Sequence, residues 1–236
     1  MTCSLEGRGW TKRATLLVWA VVPLLLGAQV IATGAMRDVI HNGQGAGVIS
    51  MDSLTGPGLY GVGPLEHLRG EITVIDGVCH VARVVNHSVR VSVNRDVRAP
   101  FFVHTRVDRW EPVALPDSVL DLAALDAFLT ARAGMDPGPF AFRLVGDVDS
   151  ASAHVLAVPE NVEVRSREEA HAYDAHVSFT KEPVELIGFF STAHRTVFTH
   201  HDSNIHMHVI SPDRKRMGHA DMAMWRAGGM RLLVGR

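Results

Sequence analysis

Short alternating apolar runs, broken by turn dipeptides, set the first limit on what this chain can fold into. EITVID (71–76) ends at the Asp76-Gly77 pair, and VCHVARVV (78–85) can return beside it. Asp-Gly between two β-branched runs favours a two-residue hairpin, because both central positions need positive φ. Residues 89–93 alternate again, and FFVHTRV (101–107), FAFRLV (140–145) and VELIGFF (184–190) read as further strands. Residues 36–63 are rich in Gly, carry Pro57 and read as an extended arm or loop. One helix interrupts the strands: Asp117 and Ser118 can cap it, Leu122, Leu125, Phe128, Leu129 and Arg132 recur at helical spacing, and Gly134 can end it. The charged segment 161–172 suits a surface helix, and 204–210 with 218–225 read as a last hairpin. The expected class is α+β, with mixed or antiparallel sheets and few helices.

The first 35 residues are of another kind. Arg8, Lys12 and Arg13 precede an uncharged stretch whose apolar heart is 16–26, and Thr33-Gly34-Ala35 gives a small-residue exit. That is the pattern of a secretory signal peptide; an uncleaved N-terminal anchor is the alternative. Residues 36–236 are then one domain, exported to the periplasm or the extracellular space, or anchored facing outward. The formal net charge is −2 and there are no basic runs, which argues against a nucleic-acid partner. Cys3 and Cys79 are the two cysteines, and Cys3 lies in the leader. Any metal must therefore be held by histidines and carboxylates.

Histidine spacing supplies a candidate. In a strand, residues two apart share a face, so His206 and His208 of NIHMHVI project together while Ile205, Met207 and Val209 can face a core. The polar segment SPDRKRMG (211–218) can reverse the chain, and His219 opens the returning strand, sharing a face there with Asp221 and Ala223. Three converging imidazoles fill three corners of a zinc tetrahedron and leave the fourth open, as in catalytic sites. Nitrogen ligands also suit copper, nickel and iron. The competing reading is three surface or core histidines that are close in sequence only. His194, His200 and His201 read as solvated loop residues.

IHMHVISPDRKRMGHADMAM (205–224) resembles the metal-binding hairpin of the α-acetolactate decarboxylase family. Three more segments are similar to that family in order and spacing: GVGPLEHLRGEITVIDG (61–77), PFAFRLVGDV (139–148) and EPVELIGFFS (182–191). The resemblance places a family glutamate on Glu71 and an active-site arginine on Arg143. Two departures stand out. Arg69 replaces an aspartate before Gly-Glu, and no glutamate follows His219, where the family supplies a second active-site acid.

The resemblance implies decarboxylation of 2-acetolactate to acetoin and carbon dioxide, a carbon–carbon lyase reaction of acetoin and butanediol metabolism. Zn2+ is the implied cofactor, with another divalent transition metal as the alternative, held by His206, His208 and His219. It would stabilise the carbanion left by carbon dioxide as an enediolate. Arg143 would dock the carboxylate and Glu71 would move the proton. On the residues alone, Glu71 can equally face solvent, and Arg143 can sit on the wet face of its strand. The missing second acid leaves two alternatives: a zinc-dependent hydrolase of small esters, and a metal-binding member without turnover. The expected partner is a small 2-hydroxy-3-oxo acid, with membrane contact only through an uncleaved leader and a homodimer as one allowed assembly.

Overall fold

In the computed structural model, which describes residues 28–134 and 138–236, Asp76 and Gly77 take φ of 49° and 77°. This is the left-handed pair that a two-residue hairpin requires. The hairpin belongs to a six-stranded sheet built from β1 (Ile31–Thr33), β3 (Leu59–Pro64), β4 (Glu71–Ile75), β5 (Val78–Val85), β6 (Ser88–Val93) and β8 (Phe102–Arg106), in the order β1-β8-β3-β4-β5-β6. A two-stranded ribbon, β2 (Ile49–Ser50) with β7 (Arg98–Ala99), lies beside it in sequence.

The second sheet contains β9 (Trp110–Val113), β10 (Phe140–Val155), β11 (Ala175–Phe190), β12 (Ile205–Ile210), β13 (Met217–Met224) and β14 (Met230–Gly235). Its order is β11-β12-β13-β10-β14-β9, and a direct β10–β11 ladder closes the first four strands into a ring. All the strand ladders are antiparallel, so the mixed sheet allowed by the sequence is not the one formed. β10 and β11 are each 16 residues long, far beyond the short strands the sequence suggests. The strand expected over 140–145 runs on through the polar stretch 146–150, whose backbone is tied into ladders with β11, β13 and β14.

Alternation decides what each face meets. Met207 and Val209 join Phe142, Leu144, Leu186 and Phe190 in one core, which helix α2 (Leu122–Ala133) covers with Leu125 and Leu129. On the opposite face Ile187, Phe189, Ile210 and Met217 pack with Tyr60, Val62 and Val103 of the first sheet. The odd positions of β4, Glu71 and Thr73, look into this junction between the sheets.

Helix α2 begins later than the sequence suggests. Pro116 to Val119 form a turn closed by the Val119 N–H on the Pro116 carbonyl. Asp121, in place of Asp117 or Ser118, then caps the helix by accepting from the Ala124 N–H at 2.8 Å. The same helix steers the histidine strand: Asp126 accepts from the Ser203 hydroxyl (2.8 Å) and the Asn204 N–H (2.9 Å), just before β12.

The basic start and apolar run of the expected leader lie in residues 1–27, outside the described residues. Its expected exit does not remain separate from the fold. Ile31–Thr33 pair with β8, and the supposed arm that follows holds α1 (Met36–Asn42), whose Val39 packs with Leu68 and Phe101. A third helix, α3 (Arg167–His171), occupies part of the charged segment and is capped by the Ser166 hydroxyl accepting from the Glu169 N–H. Among the described residues no helix is long and apolar enough to cross a membrane.

Candidate metal centre

The hairpin β12/β13 brings the three sequence-selected histidines together. His208 is paired with His219 across the ladder, and one ligand nitrogen from each of His206, His208 and His219 lies within 4.8 Å of the other two. Ring centroids are 5.3 Å apart for His206–His208, 4.8 Å for His206–His219 and 5.6 Å for His208–His219. Both β12 histidines are buried, at 2% and 0% exposure, on the face turned towards β4.

β4 completes the arrangement. Thr73 Oγ1 lies 2.8 Å from His208 Nδ1, and Glu71 Oε2 lies 3.5 Å from His208 Nε2. His208 Nε2 has no hydrogen-bond partner, nor do His206 Nδ1 and Glu71 Oε1. With the imidazole proton on Nδ1, donated to the threonine hydroxyl, the Nε2 lone pair is left free to bind a cation, and that is the tautomer a metal ligand requires. A buried polar atom without a partner costs roughly 1–3 kcal/mol. Two such nitrogens and a carboxylate oxygen, buried without partners on neighbouring residues, form a deficit that a bound cation makes good. The donor set fits a divalent transition metal.

Electrostatics point the same way. Burial lowers the pKa of His206 to about 3 and those of His208 and His219 well below the ordinary imidazole value, with the neighbouring histidines adding to the effect. All three are neutral at pH 7, which is the ligating form. Burial raises Glu71 well above the usual carboxylate range, opposed by a backbone hydrogen bond at Leu156 and helped by Asp174 and Asp221. The shift favours the protonated, neutral form of the carboxyl.

Arg143 is held elsewhere. It lies in the same cross-strand row as the histidines, but Ile187 separates it from His208. Two strand spacings put the backbones roughly 10 Å apart. Its guanidinium makes an ion pair with Glu185 and sits 5.1 Å from the Trp110 ring and 5.6 Å from that of Tyr60. Glu185 also binds Arg214 at 2.7 Å. The cavity of about 360 Å³ above His206, His219 and Glu71 is lined by two other guanidinium side chains, those of Arg37 and Arg167.

Several residues at this site were not found by sequence reasoning. His200, taken for a solvated loop residue, is half-buried with Nε2 3.3 Å from Nε2 of His219, and burial lowers its pKa to about 4. His194 is also half-buried, stacked on Phe198 and bonded to the Ser191 hydroxyl, whereas His201 is exposed as expected. His154 of β10 pairs with His219 across the ladder, rings 4.8 Å apart. Asp221 does not share a face with Ala223: a register shift opposite Ser152 and Ala153 makes it the extra residue of a β-bulge. The bulge turns its carboxylate onto His154 Nδ1 at 2.5 Å. Thr73 could have been found from its alternation with Glu71.

Comparison with solved structures finds the same fold. An alpha-acetolactate decarboxylase from Bacillus subtilis strain 168 superposes with a TM-score of 0.69 at 18% identity, over 88% of this chain and 85% of the other. The acetolactate decarboxylase of Bacillus subtilis subspecies spizizenii gives 0.71 at 18% identity with the same coverages. A Staphylococcus aureus protein described as of unknown function and similar to alpha-acetolactate decarboxylase gives 0.68 at 13% identity, over 87% and 84%. No match is found among curated protein sequences. The sequence model of alpha-acetolactate decarboxylase matches residues 33–231, from the first strand through the histidine hairpin. The chain belongs to the alpha-acetolactate decarboxylase family.

Proposed function

We propose that this protein decarboxylates 2-acetolactate to acetoin with a divalent metal, zinc being the first candidate, held by His206, His208 and His219. The observation that carries the reading is the pair of unpartnered, buried nitrogens on His206 and His208, in a trio with His219 and beside a buried Glu71. A metal there supplies Lewis-acid polarisation of the adjoining ketone and hydroxyl oxygens of the substrate. Family membership supplies the substrate class.

The chain's own residues have three tasks. Glu71, whose protonated form burial favours, is placed beside His208 to deliver the proton that replaces the lost carboxylate. The mostly apolar cavity between α1 and α3 shields that transfer from bulk water. We assign the substrate carboxylate to Arg167, which lines the cavity with His154, His171 and Glu71, instead of Arg143, whose charge is committed to Glu185. Asp174 and Asp221 stand close enough to favour the protonated form of Glu71. The basic and apolar start of the chain supports export, which a fusion to a reporter active only outside the cytoplasm tests.

Purified, zinc-loaded protein incubated with 2-acetolactate is expected to form acetoin and carbon dioxide in equal amounts. Acetolactate disappearing only at its uncatalysed rate, from folded and metal-loaded protein, would refute the reading. Cleavage of small esters in the same sample would favour a hydrolase.

A further inference from the structure

We propose that His154, His171 and Asp174 form a second divalent-cation site, distinct from the His206–His208–His219 trio. One ligand atom from each of the three lies within 4.8 Å of the others. They come from two segments: His154 from the end of β10, and His171 with Asp174, three residues apart, from the turn that leads from α3 into β11.

Two observations point to a ligand. The Asp174 side chain is 4% exposed, and its Oδ1 has no hydrogen-bond partner, while its Oδ2 lies 2.6 Å from His171 Nδ1. A buried carboxylate with one bare oxygen is costly unless a cation or donor meets it. His154, whose side chain is 7% exposed, has its Nδ1 occupied by Asp221, which fixes the ring and leaves Nε2 as the coordinating atom. A carboxylate behind a ligating imidazole is the usual way such a ligand is oriented. The bulge that turns Asp221 away from the regular ladder produces this pairing.

Two imidazoles with one carboxylate suit zinc, ferrous iron or manganese, and leave coordination positions open. The open cleft over the site adds His176, Asp221, Glu168 and Arg167 to the trio, so three carboxylates face one guanidinium there. His154 and His219 are ladder partners, so the two sites stand side by side. The second site has its own ligands and does not depend on the trio binding metal or on acetolactate being the substrate.

The test is metal stoichiometry on the full chain. Metal-free protein is loaded with Zn2+ alone, dialysed and analysed for bound zinc. Wild type is expected to retain about two equivalents, and Asp174→Asn and His171→Gln about one each. Asp174→Asn preserves the side chain's shape, and the equivalent kept by the trio confirms that the variant is folded. His206→Gln should also fall to about one equivalent, from the other site. Two equivalents retained by both Asp174→Asn and His171→Gln would overturn the proposal. So would a wild type with one equivalent that Asp174→Asn leaves in place. A single wild-type equivalent lost in Asp174→Asn and kept in His206→Gln would uphold this site and sink the trio.

Discussion

Replacing Thr73 by valine tests whether the first sheet holds the metal ligand in place. The substitution keeps the side chain's shape and removes the hydroxyl 2.8 Å from His208 Nδ1. Both residues are fully buried, so no water replaces the lost partner. An imidazole N–H left bare in this position costs about 1–3 kcal/mol of stability in the metal-free protein. It also frees the ring to take the other tautomer, which would place the proton on the coordinating nitrogen. Losing a partner behind a metal ligand typically weakens binding 10–100-fold, or about 1.4–2.7 kcal/mol. Competition against a chromophoric zinc chelator measures the affinity, and urea unfolding of the metal-free form measures the stability. Thr73→Ser should restore most of both. If Thr73→Val binds zinc within about twofold of wild type, the tautomer argument fails. The hydrogen bond would then be a packing detail.

Other consequences are as direct. His206→Ala should weaken zinc binding at the trio by at least about 100-fold, read by the same chelator competition after zinc at any second site has been accounted for. Glu71→Gln should leave zinc bound yet slow acetoin formation by about 10²–10⁴-fold, since the amide cannot give up a proton; unchanged turnover would remove Glu71 from proton transfer. The metal-free protein should lose stability as pH falls. His206 in the unfolded chain protonates near its ordinary 6.5, but the folded residue does so only at about 3. Between those values the unfolded state holds more protons, so unfolding free energy drops by up to about 1.4 kcal/mol per pH unit for each such histidine. Urea midpoints at pH 7, 5.5 and 4 check the sign, and a flat profile contradicts the burial of these rings. Arg167→Met should raise KM about tenfold or more, because an ion pair to the substrate's carboxylate is lost. Arg143→Met should instead destabilise the fold by about 1–3 kcal/mol through the buried Glu185, now left with Arg214 alone. Thermal unfolding and steady-state kinetics on the two variants separate these effects.

Local order was legible in the sequence and long-range order was not. The Asp76-Gly77 hairpin and the His206–His208–His219 cluster are written within short stretches, where strand alternation and a turn suffice to place side chains. Glu71 could face either way by alternation alone; the resemblance, and then its burial against β12, decided it. Arg143 was named through the resemblance, and its ion pair with Glu185 carried no signal in the sequence, because alternation gives the face of a sheet and not the distance along it. It does share the histidines' row, but two strands away. His154, the His171–Asp174 turn and His200 lie in three segments that meet only after β10, β11 and β13 have paired, and none carries a motif. The bulge at Asp221 was invisible because a one-residue register shift leaves no mark in an alternating pattern. The lengths of β10 and β11 were hidden by polar residues on the outward face of a strand tied on both edges.

The hairpin that carries the three imidazoles has a consequence for the order of assembly. His206 and His219 are separated by only one turn and two strands, whereas Thr73 and His208 are 135 positions apart. Closing the short loop costs little chain entropy compared with bringing β4 to β12. Zinc can therefore clip the hairpin while the two sheets are still apart. A cation already held by the unfolded ensemble stabilises the native state by less than its affinity for the finished site implies. The part of its binding energy that favours the native fold is the part that waits for Thr73 to fix His208. Zinc should thus speed formation of the hairpin more than it raises the unfolding midpoint.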